Sequence, residues 1–135
     1  MSPEKRLPQD LHVVRHGAVE AAAVGSDKLH GAAWVSPLLH SERDGEPTAF
    51  RVTHAPGARS AWHSHPLGQL LIVEQGVCRV QCEGGPIARA SAGEVVWIPP
   101  EVLHWHGADE AGAMVYLSVQ QTLAGRVADW PEGMR

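Results

Sequence analysis

The chain has 135 residues, with 11 lysines and arginines against 15 aspartates and glutamates and a formal net charge of −4. That length is expected to build one domain with a real core, and without a run of basic residues it carries no electrostatic footprint for nucleic acid. No stretch approaches the ~18 consecutive apolar residues of a membrane span, and the opening MSPEKRLPQDLHVV lacks the charged-then-apolar pattern of a secretory signal, so no membrane contact is expected and the expected location is the cytoplasm.

Residues 1–33 combine alanine runs, scattered charges and two prolines, with neither clean alternation nor a helical stripe, and read as an N-terminal arm with one short strand. The barrel is expected over 34–120: alternation begins at Trp34 and Val35, and from Ala49 the chain becomes short apolar segments cut by glycine and proline, AFRVTHAPG, GQLLIVEQG, VCRVQC, GGPIARA, GEVVWIPP and AMVYLSVQQ. This is an all-β signature, and the glycines after Pro56, Gln75, Glu83 and Ala92 supply the tight turns it needs. The tail, 121–135, is expected to form one short helix or a strap. Cys78 and Cys82 fall on one predicted strand, ~13 Å apart at ~3.3 Å per residue, beyond the ~7 Å reach of a disulfide. Free thiols acting as structural filler follow, in keeping with a reducing compartment.

Nine histidines stand against one Phe and one Tyr, and their spacing carries the information. In Trp62-His63-Ser64-His65, extended backbone turns His63 and His65 to one face and Trp62 and Ser64 to the other. Two imidazoles so placed, ~6.6 Å apart along the backbone, are able to clamp one ion. His104 and His106 repeat the arrangement around Trp105.

These residues resemble the cupins, whose first motif reads G-x5-H-x-H-x3,4-E-x6-G and whose second reads G-x5-P-x-G-x2-H-x3-N. Gly57, His63, His65, Gln69 and Gly76 follow the first spacing, and Gly93, Pro99 and His104 the second. Gln69 stands where the family usually has Glu, Glu101 where it has Gly, and Ala108 where it has Asn. The last two changes are expected to alter turns only. The resemblance implies a double-stranded β-helix, that is a jelly-roll barrel, with one divalent metal ion held near its mouth by His63, His65, Gln69 and His104. It also implies a homodimer, since such arms often exchange between partners.

A narrower resemblance rests on WHSHPLGQLLIVEQGVCRVQCEGGPI, GEVVWIPPEVLHWHGA and the closing segment from Gly125 to Trp130. It is to the small bacterial cupins that include the manganese-dependent hydroxynitrile lyases, in which a histidine placed like His106 acts on the cyanide. Manganese is therefore the first expectation, although three imidazoles and an amide also suit iron, cobalt, nickel or zinc. Neutral donors leave the ion its full charge, which favours Lewis-acid chemistry and disfavours oxidation to a trivalent state.

His106 suits proton transfer at neutral pH, with packing, or ligation in place of Gln69, as the alternatives. The expected pocket wall is Phe50, Val52, His54, Ser60, Trp97, Met114 and Tyr116, while Trp62 and Trp105 alternate away toward the core or a subunit contact. His12, His16, His30 and His40 are expected in solvent. The functional expectation is a metal-dependent carbon–carbon lyase of hydroxynitrile lyase type acting on a small molecule. The alternatives are a mononuclear metal dioxygenase, a biosynthetic cyclase or isomerase, and a non-catalytic ligand-binding or sensor cupin.

Overall fold

Strict alternation of side chains builds this protein, and a computed structural model describes residues 11–134 of it. Among those residues the strands are β1 (Ala22–Ala23), β2 (Leu29–His30), β3 (Ala33–Leu39), β4 (Pro47–His54), β5 (Arg59–Ser60), β6 (Gln69–Gln75), β7 (Val77–Cys82), β8 (Ile87–Ser91), β9 (Val95–Ile98), β10 (His104–Ala108) and β11 (Met114–Gln121). They form a six-stranded sheet in the order β1-β3-β4-β11-β6-β9 and a five-stranded sheet in the order β2-β5-β10-β7-β8. The strand pairings are antiparallel, and the expected jelly-roll barrel is the observed architecture. No helix among the described residues is long and apolar enough to cross a membrane.

β11 shows how sequence becomes layer. Met114, Tyr116, Ser118 and Gln120 are buried on the inner face, while Val115, Leu117 and Val119 between them are half-buried on the outer one. The inner residues fall into ranks with the neighbouring strands: Tyr116 beside Val52 and Val73, Ser118 beside Phe50 and Leu71, Gln120 beside Thr48 and Gln69. The apolar end of the barrel is packed solid by Leu71, Val73, Cys78, Val80, Ala108 and Met114, and the opposite end turns polar rank by rank. Cys78 and Cys82 are free thiols, Cys78 buried with its pKa pushed up to about 12 by burial.

Among its described residues the arm holds two short strands where one was expected, β1 extending the six-stranded sheet along β3 and β2 the five-stranded sheet along β5. The described part of the tail is a strap without a helix. It turns at Ala124 and Gly125, both at positive φ, then runs back so that Ser64 and Asp129 exchange two backbone hydrogen bonds of 3.0 and 2.8 Å. The turn at Glu101 is likewise kept despite the loss of glycine. Glu101 adopts φ 67°, a conformation costing a non-glycine residue ~1–2 kcal/mol, and its N–H bonds the His65 carbonyl at 2.9 Å.

Glycine is needed sterically at Gly107, where β10 pairs with β5 opposite Arg59. A Cβ there would lie 2.3 Å from the Ala58 carbonyl oxygen and 2.6 Å from Arg59 Cα, both backbone atoms that cannot swing away. Gly107→Ala is therefore expected to destabilise the fold by ~1–3 kcal/mol, read as the shift in a urea unfolding midpoint. An unchanged midpoint would show that β5 yields freely.

Candidate metal centre

The two histidine pairs meet because their backbones pair. His63 N–H donates to His104 O at 2.8 Å and His104 N–H donates to His63 O at 2.9 Å, so a stretch outside the named strands is held against the start of β10. Alternation then turns His63, His65, His104 and His106 to the same inner face. All four are buried, and the ring centroids lie 4.3 Å apart for His63 and His104, 5.1 Å for His63 and His65, 5.4 Å for His65 and His104, and 5.1 Å for His63 and His106. Nitrogen atoms of His63, His104 and His106 fall within 4.8 Å of one another.

Three of the rings are oriented by backbone carbonyls. The Nδ1 atoms of His63, His65 and His104 meet Ala61 O at 2.8 Å, Val127 O at 2.8 Å and Val102 O at 2.9 Å. A carbonyl only accepts, so each Nδ1 carries the proton and each Nε2 presents a lone pair, the arrangement that fixes a metal-binding imidazole. His65 Nε2 is buried with no partner.

Gln69 completes the set. Its Nε2 donates to Ser118 Oγ at 2.9 Å and to Gln120 Oε1 at 3.3 Å, which leaves the amide oxygen 3.1 Å from His104 Nε2. Gln120 is in turn anchored by donating to Thr48 Oγ1 at 2.8 Å.

Burial, opposed by the bond to Val102 O and aided by repulsion from His65, lowers the His104 pKa to about 4. His104 is thus neutral at pH 7, and its Nε2 lone pair faces a carbonyl oxygen with no proton between them. Two acceptors repel at that distance unless a cation lies among them, and donors sharing an ion at ~2.1 Å sit roughly 3 Å apart. The residues present fit a divalent ion that accepts nitrogen and oxygen donors.

Burial is also the first cause that lowers His54, His65, His63 and His106, the last two well below 6.5, and repulsion among neighbouring rings adds to it for His63 and His106. The cluster opens into a cavity of about 320 Å³. Five expected wall residues line it: Phe50, Val52, His54, Ser60 and Tyr116.

Trp97 and Met114 do not line the cavity. On β9 the inward residue is Ile98, so Trp97 faces outward at 58 % exposure and covers Gly68, where a Cβ would strike its ring at 2.4 Å. Met114 has the inward parity of Tyr116 but lies two residues further toward the packed end of the barrel, among Val80, Ala108 and Leu71. Trp105 is 1 % exposed, covered by the guanidinium groups of Arg59 and Arg79 at 4.8 and 5.6 Å, with Nε1 donating to Gln81 at 2.9 Å. His30, expected in solvent, is half-buried, with Nε2 enclosed and unpartnered.

The sequence reading missed Ser118 and Gln120, although two polar side chains with the parity of a core residue are a usable signal. It also missed the contributions of the arm and strap. Val24, Lys28 and Leu29 line one side of the cavity and Val127, Ala128 and Trp130 another. Trp130 stacks on His63 with centroids 4.2 Å apart, and Lys28 Nζ lies 5.3 Å from the Trp130 ring.

The profile of the cupin domain matches residues 50–120. The chain is 38 % identical over 122 residues to an (R)-mandelonitrile lyase from Granulicella tundricola, covering 90 % of this chain and 93 % of that one. Among solved structures it is similar to a cupin-like protein from Thermotoga maritima, at 37 % identity and a TM-score of 0.76 over 82 % of this chain and 84 % of that one. A polyketide cyclase from Streptomyces resistomycificus shares the fold at 16 % identity and a TM-score of 0.73, covering 93 % and 89 % of the two chains.

Histidines held neutral when folded but free to protonate when unfolded make stability depend on pH. Between the folded pKa and 6.5 the unfolded chain binds more protons, so the stabilisation is fully present above 6.5 and is lost as pH falls toward the folded value, about 4 for His104. Metal-free protein is expected to lose up to ~1.4 kcal/mol per pH unit for each such histidine, measured as urea midpoints below neutrality. A midpoint flat across that range would contradict burial of the neutral rings.

Proposed function

The chain belongs to the cupin family, and on that footing we propose that it is a metal-dependent carbon–carbon lyase of the hydroxynitrile lyase type. One observation carries the reading: His106 presents an enclosed, unpartnered Nε2 beside a donor cluster that fits a divalent ion, in a cavity with one apolar wall. Identity to a mandelonitrile lyase over nearly the whole chain supports the choice of reaction. The donors proposed to hold the ion, manganese first, are His63, His65 and His104 through nitrogen and Gln69 through its amide oxygen. Bound there, the ion supplies a Lewis acid that stabilises negative charge on a substrate oxygen.

His106 is set apart from the ligands by its hydrogen bond. Its Nδ1 meets the Tyr116 hydroxyl at 3.2 Å, whereas the three proposed ligands each rest on a backbone carbonyl. His106 Nε2 takes the hydroxyl proton of a cyanohydrin, the bond to the nitrile carbon breaks with its electron pair leaving on cyanide, and the same nitrogen returns the proton to cyanide. The products are a carbonyl compound and hydrogen cyanide, and no oxidant is consumed. Val35, Phe50 and Val52 offer apolar surface to the substrate body. Ser60 is already engaged, accepting the His106 N–H at 3.1 Å. A homodimer accompanies this reading, supported by exposed Trp34, Val95 and Trp97 on the outer face of the six-stranded sheet.

Manganese-loaded protein is expected to release benzaldehyde from mandelonitrile without oxygen, and release no greater than that of the metal-free control would sink the lyase assignment. His106→Ala should lower kcat ~10²–10⁴-fold while keeping about one metal ion per chain, and His65→Ala should lose the metal. Metal analysis giving the reverse pattern would replace His65 by His106 in the ligand set.

A further inference from the structure

We infer that His54 and Tyr116 are positioning residues: with the Ala58 carbonyl they form a one-directional hydrogen-bond chain that dictates which nitrogen of His106 offers its lone pair to the cavity. The chain is continuous and buried. His54 Nδ1 lies 3.1 Å from Ala58 O, His54 Nε2 lies 3.1 Å from the Tyr116 hydroxyl, and that hydroxyl lies 3.2 Å from His106 Nδ1. His54 and Tyr116 are each 2 % exposed and His106 is 5 % exposed, so the three groups are turned away from bulk solvent.

Each proton in the chain has one place to go. The Ala58 carbonyl only accepts, so His54 Nδ1 bears a hydrogen. Neutral imidazole has one such hydrogen, and His54 Nε2 must therefore accept. The phenol has a single proton and spends it on His54 Nε2, so toward His106 its oxygen acts as acceptor. His106 Nδ1 then bears the hydrogen and Nε2 is left as a lone pair aimed into the cavity, where it has no protein partner. Backbone holds the far end: the Ala58 carbonyl also accepts the Ala108 N–H at 2.9 Å, which locks it between β5 and β10. A carbonyl cannot pass a proton on, so the chain orients and does not conduct. In the lyase reading, on which this consequence rests, the resting protein is a base prepared to receive the substrate's proton.

The chain makes an asymmetric prediction about a residue that does not touch His106 by hydrogen bond. Removing His54 frees the Tyr116 hydroxyl to donate to His106 Nδ1, which draws the hydrogen of His106 toward Nε2. In full-length metal-free protein labelled with nitrogen-15 histidine, wild-type His106 is expected to show a protonated Nδ1 and a bare Nε2. His54→Phe is expected to show the opposite tautomer, and Tyr116→Phe a mixture of both. Both variants, reloaded with manganese, should lose ~10–100-fold in kcat for mandelonitrile with little change in KM.

Wild-type protein carrying its hydrogen on Nε2, or a His106 tautomer unmoved by His54→Phe, would overturn the inference. Should His54→Phe not fold, Tyr116→Phe decides the matter in the same way, by mixing the tautomers or leaving them as they were. Because the tautomer is read without turnover, the predicted nitrogen pattern in a protein that does not cleave mandelonitrile would keep the chain and remove the lyase assignment.

Discussion

The reciprocal pair of backbone hydrogen bonds between His63 and His104, at 2.8 and 2.9 Å, is the constraint on which the rest of the site depends. It joins segments separated by forty residues of barrel and sets their register to the single residue. In extended backbone a slip of one residue in the His63 segment would turn His63 and His65 to the outer face, away from His104 and His106. Gly107 protects the same register from behind, because only a residue without a side chain lets β5 lie against β10 at this point. Ring orientation is then a matter of backbone carbonyls, which cost no side-chain entropy to hold in place.

Electrostatics follows from that geometry. The cavity lining contains one cationic side chain, Lys28, and no carboxylate among the described residues, and its histidines are kept neutral by burial. An ion bound there keeps its full charge in a site of low polarisability, where each unit of charge acts more strongly than in water. Gln69 is the pivotal position. A carboxylate in its place would neutralise part of that charge and would lack the hydrogens that now hold Ser118 and Gln120 in line.

Much of this was legible in the sequence, and the reasons for the gaps are specific. Spacing at two residues fixed the shared face of the histidine pairs, and alternation in AMVYLSVQQ fixed the inward parity of Tyr116. Parity does not report depth, however, which is why Met114 was placed with Tyr116 although it belongs to the packed end. In VVWI all residues are apolar, so no alternation existed to show that Ile98 and not Trp97 points inward. The arm and strap were opaque for another reason, since their roles rest on backbone carbonyls such as Val127 O and on one stacked ring, neither of which leaves a side-chain pattern. Glu101 shows the converse: a residue type that argues against a left-handed turn sits in one, because the His65 carbonyl and the adjoining histidine pair hold it there.

The strap also gives the site a history. The Val127 carbonyl that turns His65 lies 62 residues downstream of it, whereas the other oriented rings, His63 and His104, take their carbonyls from two residues away. During biosynthesis all four donor side chains therefore leave the ribosome before the group that aims one of them. Any ion taken up before the strap closes would meet a His65 ring that nothing yet orients.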